Sequence, residues 1–225
     1  MRRTALFLLL AIPCLKAPAQ FFQSIGVNGG LTMAREIWKV DQNPNIPTPY
    51  YYNDPQKWKY SWNAAVTFEF INSDMWRWDS EIQYNNKGGV DVDKTHNNKK
   101  LGMNPTHLCW NNYLKYRFDA YRGVPYIFAG PRIEYVLTNG LSTFPVNRGN
   151  YNKLQLTPAV GAGWEFITYG IIKPFVEAVY NPDPTSLVPS YHVLDLRMYN
   201  QAIEFRVGLR FEIRSGKETC PKALI

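Results

Sequence analysis

The sequence predicts an all-β chain: an eight-stranded antiparallel up-and-down transmembrane β-barrel with a polar, salt-bridged interior. Three observations predict it. The chain opens like an exported protein, its later segments alternate apolar and polar residues, and the connections between those segments alternate long and short.

The first residues read as a secretory signal. Met1-Arg2-Arg3-Thr4 is a basic n-region, "ALFLLLAIP" is a short apolar h-region, and Ala17-Pro18-Ala19 is an A-x-A site that places cleavage after Ala19. The apolar run is too short to cross a bilayer as a helix, and no later stretch is long enough either. The barrel is therefore expected in residues 20–213, with 214–225 as a periplasmic tail. Removing Arg2, Arg3 and Lys16 lowers the formal charge from +7 to +4, too mild to argue for nucleic acid. Cys109 and Cys220 remain after cleavage; export permits a disulfide, but one pair so far apart is no framework, and two unpaired thiols are expected.

Helix signals are poor, because Gly and Pro are scattered and no long stretch repeats at three and four residues. Strand signals recur. "SIGVNGGLTM" alternates Ile25, Val27, Leu31 and Met33 with Ser24, Gly26, Asn28, Gly30 and Thr32. "WNAAVTFEFI" sets Trp62, Ala64, Val66, Phe68 and Phe70 against Asn63, Ala65, Thr67 and Glu69. "WRWDSEIQYN" sets Trp76, Trp78, Ile82 and Tyr84 against Arg77, Asp79, Glu81, Gln83 and Asn85. "WNNYLKYRF" opposes Trp110, Leu114, Tyr116 and Phe118 to Tyr113, Lys115 and Arg117. "YIFAGPRIEYVL" opposes Ile127, Ala129, Ile133, Tyr135 and Leu137 to Gly130, Arg132 and Glu134. "LQLTPAVGAGWEF" opposes Leu154, Leu156, Val160, Ala162, Trp164 and Phe166 to Gln155, Thr157, Gly161, Gly163 and Glu165. "IKPFVEAVY" places Lys173 and Glu177 opposite Val176, Ala178 and Tyr180. "QAIEFRVGLRFEIR" closes the series with Ile203, Phe205, Val207, Leu209, Phe211 and Ile213 against Glu204, Arg206, Arg210 and Glu212.

The short connections are 72–74, 119–123 and 168–170, and the long ones run roughly 36–59, 87–106, 139–152 and 181–199. Long loops outside and tight turns in the periplasm are the pattern of an outer-membrane barrel, with both termini on the periplasmic side. A ten-stranded count stays open, because "YHVLDLRMYN" could extend the final hairpin.

A soluble barrel or sandwich would alternate in the same way, so periodicity does not choose between them. The polar faces carry seven basic side chains (Arg77, Lys115, Arg117, Arg132, Lys173, Arg206, Arg210) and eight acidic ones (Glu69, Asp79, Glu81, Glu134, Glu165, Glu177, Glu204, Glu212), a net of −1. Near-neutrality suits a closed interior of paired charges, since an unpaired buried charge is costly. Aromatics near the strand ends, such as Trp62, Trp76, Trp110 and Tyr180, suit an interfacial girdle.

Taken in order, several of these segments resemble the PorT-like outer membrane β-barrel family of Bacteroidota. They are "IGVNGGLTM"; "DSEIQYNNKGG" through Glu81, Tyr84, Lys87 and Gly88; "YLKYRF…VPYIFAGPRIEYVL" through Pro125, Tyr126, Gly130 and Tyr135; "VGAGWEF…FVEAVYN"; and "FRVGLRFEI". The resemblance covers most of the mature chain. It implies an eight-stranded barrel in an outer membrane, and its founding members assist type IX protein secretion. One departure is that twelve residues follow Ile213, whereas outer-membrane chains often end on an aromatic.

Function is expected to be structural or interactive, with no enzymatic activity, no cofactor and no metal. Eight strands leave room for side chains but not for an aqueous channel, so the fifteen charges read as a plug, with a narrow channel as the alternative. A lipid A-modifying enzyme is the second alternative, but it would need a nucleophile, base and acid at the membrane rim. His107 at a loop edge and Cys109 in the lumen come nearest, while His96 and His192 fall in predicted loops without partners. "DVDKTHNN" from Asp91 to Asn98 lacks the glycine and final acid of a calcium loop. In the first long loop, Tyr50, Tyr51, Tyr52 and Trp58 stand among prolines and are the candidate residues for binding a glycan or a protein. Expected partners are outer membrane lipid, the β-barrel assembly machinery, and proteins of an envelope or secretion complex.

Overall fold

The computed structural model describes residues 22–41, 57–71, 73, 75–93, 99–103, 105–120, 123–138, 152–168, 170–184 and 195–213. Ten strands follow in chain order: β1 (Phe22–Asp41), β2 (Lys59–Phe70), β3 (Trp76–Asn86), β4 (Gly89–Asp93), β5 (Lys99–Met103), β6 (Thr106–Arg117), β7 (Gly123–Thr138), β8 (Leu154–Phe166), β9 (Ile172–Pro182) and β10 (Asp195–Glu212). Eight of them close into one antiparallel barrel in the order β1-β10-β9-β8-β7-β6-β3-β2, and β4 and β5 pair separately as a ribbon. The extra pair therefore lies inside the second long connection. "YHVLDLRMYN" contributes no added hairpin: its last six residues, Asp195 to Asn200, are the start of β10.

Closure joins the two ends of the chain. β1 and β10 pair without interruption from Ser24↔Glu212 to Asp41↔Asp195, so the barrel wall itself closes without an edge strand. β1 pairs with β2 only as far as Ala34↔Lys59, and β10 with β9 only as far as Gln201↔Pro182. Beyond that level β1 and β10 continue alone as a two-stranded arm on the loop side.

Polarity is inverted relative to a water-soluble barrel. Phe205, Val207 and Leu209 are 51%, 64% and 41% exposed, whereas Glu204, Arg206 and Arg210 between and beside them are buried. The same holds around the wall: Val27 and Leu31, Trp62, Ile82, Trp110 and Leu114, Ile127, Leu156 and Val160, and Val176 all face out. Large apolar side chains exposed on strand after strand are unlike a soluble monomer, whose contiguous apolar patches are small. The aromatics expected at the girdle, including Trp62, Trp76, Trp78, Tyr84, Trp110, Phe118, Tyr135 and Tyr180, stand on this outer face, and Trp62 stacks on Tyr84 at 4.9 Å.

The interior is filled from two sides. On β6 to β9, Tyr113, Tyr126, Phe128, Ala159 and Val179 form a buried cluster, with Tyr113 and Phe128 rings 5.0 Å apart. β8 makes room for it with inward-facing glycines. A Cβ at Gly161 would stand 2.3 Å from Cζ of Phe128, and one at Gly163 2.4 Å from Cζ of Tyr126. Neither ring could hold its place beside a larger residue. The opposite wall, from β10 through β1 and β2 to β3, is lined by polar side chains.

Two substitutions test this packing. Gly163→Leu should overpack the Tyr126 notch and cost about 1–3 kcal/mol, measured as a lower urea midpoint for the barrel folded in lipid vesicles. Val207→Arg, on the lipid-facing side, should cost about 2–4 kcal/mol near the bilayer midplane, while Val207→Leu should leave the midpoint unchanged.

Candidate functional site

Alternation along each strand turns every second side chain inward, and closure stacks the polar ones into tiers. On the turn side, Lys115 pairs with Asp79 at 2.5 Å and approaches Glu69 at 3.8 Å. Arg210 pairs with Glu165 and lies 3.7 Å from Glu69, while Arg117 reaches Glu165 at 2.9 Å. Ser24 donates to Glu69 at 2.9 Å. Both cations also sit over rings, Lys115 over Tyr126 at 4.5 Å and Arg210 over Phe175 at 4.9 Å.

At mid-height, Arg206 bridges Glu81 at 2.7 Å and Glu177 at 2.8 Å. Neutral donors complete those carboxylates: Asn28 and Thr67 donate to the other oxygen of Glu81 at 2.9 Å, Asn111 shares the Arg206-bound oxygen at 2.6 Å, and Tyr126 donates to the free oxygen of Glu177 at 2.8 Å. One level nearer the loops, Arg132 pairs with Glu204 at 2.7 Å and donates to Asn111 and Gln83. Gln83 and Asn85 donate to the same carboxylate at 2.8 and 2.7 Å.

The loop-side tier is closed by Lys87. Its ammonium pairs with Glu134 and donates to Asn181 at 2.7 Å. The chain can turn away directly after it because Gly88 adopts a φ of 139°, which L side chains avoid. Lys59 holds the same stem from β2, donating to Asn86 at 3.0 Å and to the Lys87 carbonyl at 3.3 Å. The β4–β5 ribbon rises from this stem, and β4 touches β1.

The structure thus brings Glu69, Asp79, Glu81, Lys115, Arg132, Glu134, Glu165, Glu177, Glu204, Arg206 and Arg210 into the sealed lumen. The other four predicted charges stand at the turn-side rim. Arg117 is 13% exposed, and Lys173 and Glu212 are 18% and 42% exposed at a separation of 4.0 Å. Arg77 donates to the Ile71 carbonyl at 3.0 Å, next to the turn where Ile71 holds a positive φ of 72°.

Three buried charges escaped sequence reasoning: Glu36, Lys87 and Asp183. Each fell inside a segment read as a loop, because the apolar partners that mark a strand thin out near its end. The signal was present in β1, where Thr32, Ala34 and Glu36 keep the inward parity. With them, the fully buried charges among the described residues number five basic against nine acidic. Around Glu81, Glu177 and Glu204, amides and hydroxyls supply the donors that the cations do not.

Trp58 lies just before β2, half-buried, with the Arg35 guanidinium 4.8 Å from its ring centroid. Tyr50, Tyr51 and Tyr52 lie outside the described residues, as do His96, His192, Cys220, the signal segment and the tail from 214. Asp91 to Asp93 belong to β4, and the rest of that acidic stretch is outside as well. His107 is not at a loop edge: β6 starts at Thr106, and His107 is in register with Asn85 on β3 and Val136 on β7. It and Cys109 point into the lumen with 0% exposure, so neither meets the lipid rim.

No protein-family model and no curated protein matches the chain by sequence. Solved structures do match by shape. The outer membrane protein OprG from Pseudomonas aeruginosa superposes with a TM-score of 0.50 at 12% identity, over 86% of this chain and 98% of that one. The outer membrane protein AlkL gives 0.49 at 13% identity over 90% and 96%, and Neisserial surface protein A gives 0.48 at 10% over 84% and 97%. The fold is that of a small eight-stranded outer-membrane-type barrel.

The mid-height triad offers a direct test. Arg206→Met should strand two facing carboxylates and cost about 3–5 kcal/mol. The triple change Arg206→Met, Glu81→Gln, Glu177→Gln should recover most of that loss. Both are measured by equilibrium unfolding in vesicles.

Proposed function

We propose that this chain is an integral outer membrane protein whose filled barrel acts as a rigid structural or interaction subunit. The observation that carries the reading is the inverted polarity: Phe205, Val207 and Leu209 face out while Glu204, Arg206 and Arg210 are sealed within. Lipid is the solvent that suits the outer face. The export signal read at residues 1–19 agrees with this location.

The charge lattice supports a structural role over conduction. Arg132, Arg206, Lys87 and Lys115 are each at most 2% exposed and engaged across the lumen, so they brace the wall instead of lining a water column. Among the described residues, the parts that project from the barrel toward partners are the β4–β5 ribbon and the β1–β10 arm. The resemblance of the segment order to PorT-like barrels supports service in a secretion or envelope assembly, after insertion by the β-barrel assembly machinery. We read the chain as non-enzymatic, because the one His–Cys pair on a common face among the described residues is buried away from lipid.

Three measurements test this. The protein should resist carbonate washing of outer membranes and require detergent for release; recovery in the soluble periplasmic fraction would overturn the reading. In planar bilayers the purified barrel should give no ion-conducting steps. Steps whose selectivity changes in Arg132→Glu would establish the narrow channel instead. If the secretion role is right, a deletion strain should lose secreted cargo while keeping its envelope intact.

A further inference from the structure

The outer face of β1 carries Ile25, Val27, Gly29, Leu31 and Met33, and then Arg35. From Ile25 to Met33 is nine residues, a close match to the roughly 9–11 that a tilted strand needs to cross a bilayer. β10 shows the same limit, with Phe211 to Ile203 apolar on the outer face and Gln201 next. Arg35 and Gln201 are register partners, and they stand where the β1–β10 arm leaves the barrel. One row of side chains, Gln201, Arg35 and Trp58, therefore marks the loop-side edge of the apolar band. Directly beneath it lie Ile203, Met33 and Tyr60.

Arg35 is held in place on two sides. Its Nε and Nη2 both donate to Gln201 Oε1, at 3.1 and 2.9 Å, and its Cζ lies 4.8 Å from the Trp58 ring centroid. A guanidinium has five N–H donors in a fixed fork. Gln201 takes the Nε edge, which leaves the Nη1–Nη2 edge, the one that binds a phosphate in bidentate fashion. Among the described residues no carboxylate pairs with Arg35, whereas the charged groups of the lumen are extensively paired. An oriented cation without a carboxylate partner among the described residues, at the boundary between an apolar face and water, faces one kind of anion above all others: the phosphate of a membrane lipid.

We propose that Arg35, clamped by Gln201 and stacked on Trp58, is a binding site for the phosphate headgroup of an anionic lipid in the loop-side leaflet. The acyl chains would lie along Met33, Leu31, Tyr60 and Trp62. This rests on the membrane reading above.

The test uses the full mature chain in detergent, with native mass spectrometry of bound dioleoyl phosphatidic acid, phosphatidylcholine and soluble glycerol phosphate. Wild type should hold phosphatidic acid at least tenfold more tightly than Arg35→Gln does. Gln201→Met, which removes only the clamp, should weaken it about threefold, and Lys153→Gln, an exposed cation on β8's side of the mouth, should not change it. Equal retention by wild type and Arg35→Gln would overturn the proposal. An equal loss in Lys153→Gln would reduce it to nonspecific charge, and saturation by glycerol phosphate at the same concentration would remove lipid as the ligand. Should Arg35→Gln fail to fold, the Gln201→Met arm and the preference of wild type for phosphatidic acid over phosphatidylcholine decide alone. A wild-type chain that stays soluble without detergent would sink the membrane reading; one that inserts but ignores Arg35 sinks only this site.

Discussion

Carboxylates and guanidiniums sealed inside this barrel can be solvated only by one another and by neutral donors, and the rest of the structure follows from that constraint. Glu81 shows it most plainly. One oxygen meets Arg206 and Asn111, and the other accepts from Asn28 and Thr67. Those donors come from β1, β2, β6 and β10, so the carboxylate ties four strands to β3, which carries it. Removing any donor exposes a buried lone pair, which is costlier than the bond was favourable. The lattice is therefore less a source of net stability than a condition on the geometry: the strands must arrive in this register or the charges go unmet.

The aromatic wall has the complementary task. Polar side chains alone would leave gaps, and gaps in a low-dielectric interior forfeit dispersion contacts. Tyr113, Tyr126 and Phe128 fill the β6–β9 side, and the missing side chains at Gly161 and Gly163 let two of those rings approach the β8 backbone. Tyr126 belongs to both halves, since its ring lies under Lys115 and its hydroxyl donates to Glu177. A lumen packed in this way transmits load between walls, which is what a scaffold for loops requires. The same wall sets Arg35 and Trp58 against one another at one height on the rim.

Much of this was legible in the chain itself. Period-two alternation located the eight wall strands and sorted their residues onto two faces, because the pleat allows no other arrangement. It did not say which face was inside. "QAIEFRVGLRFEIR" fits a soluble barrel with Phe205 inward as well as a membrane barrel with Phe205 outward, and only the burial of Glu204, Arg206 and Arg210 in the closed barrel settled it. Strand ends were misread for a related reason. Glu36, Lys87 and Asp183 lie beyond the last apolar residue that lipid contact demands, so their inward direction is set by neighbouring strands and leaves little trace in hydropathy.

The sequence by itself determined the fold class, the strand order and the composition of the two faces, since these depend on local alternation and connection length. Only the tertiary structure decided the partners. The pairing of Arg206 with Glu81 and Glu177, of Arg132 with Glu204 and of Lys87 with Glu134 joins residues far apart in the chain. So does the pairing of Arg35 with Gln201. Such contacts depend on how far each strand is staggered against the next around a closed ring. No segment of the sequence carries that stagger alone.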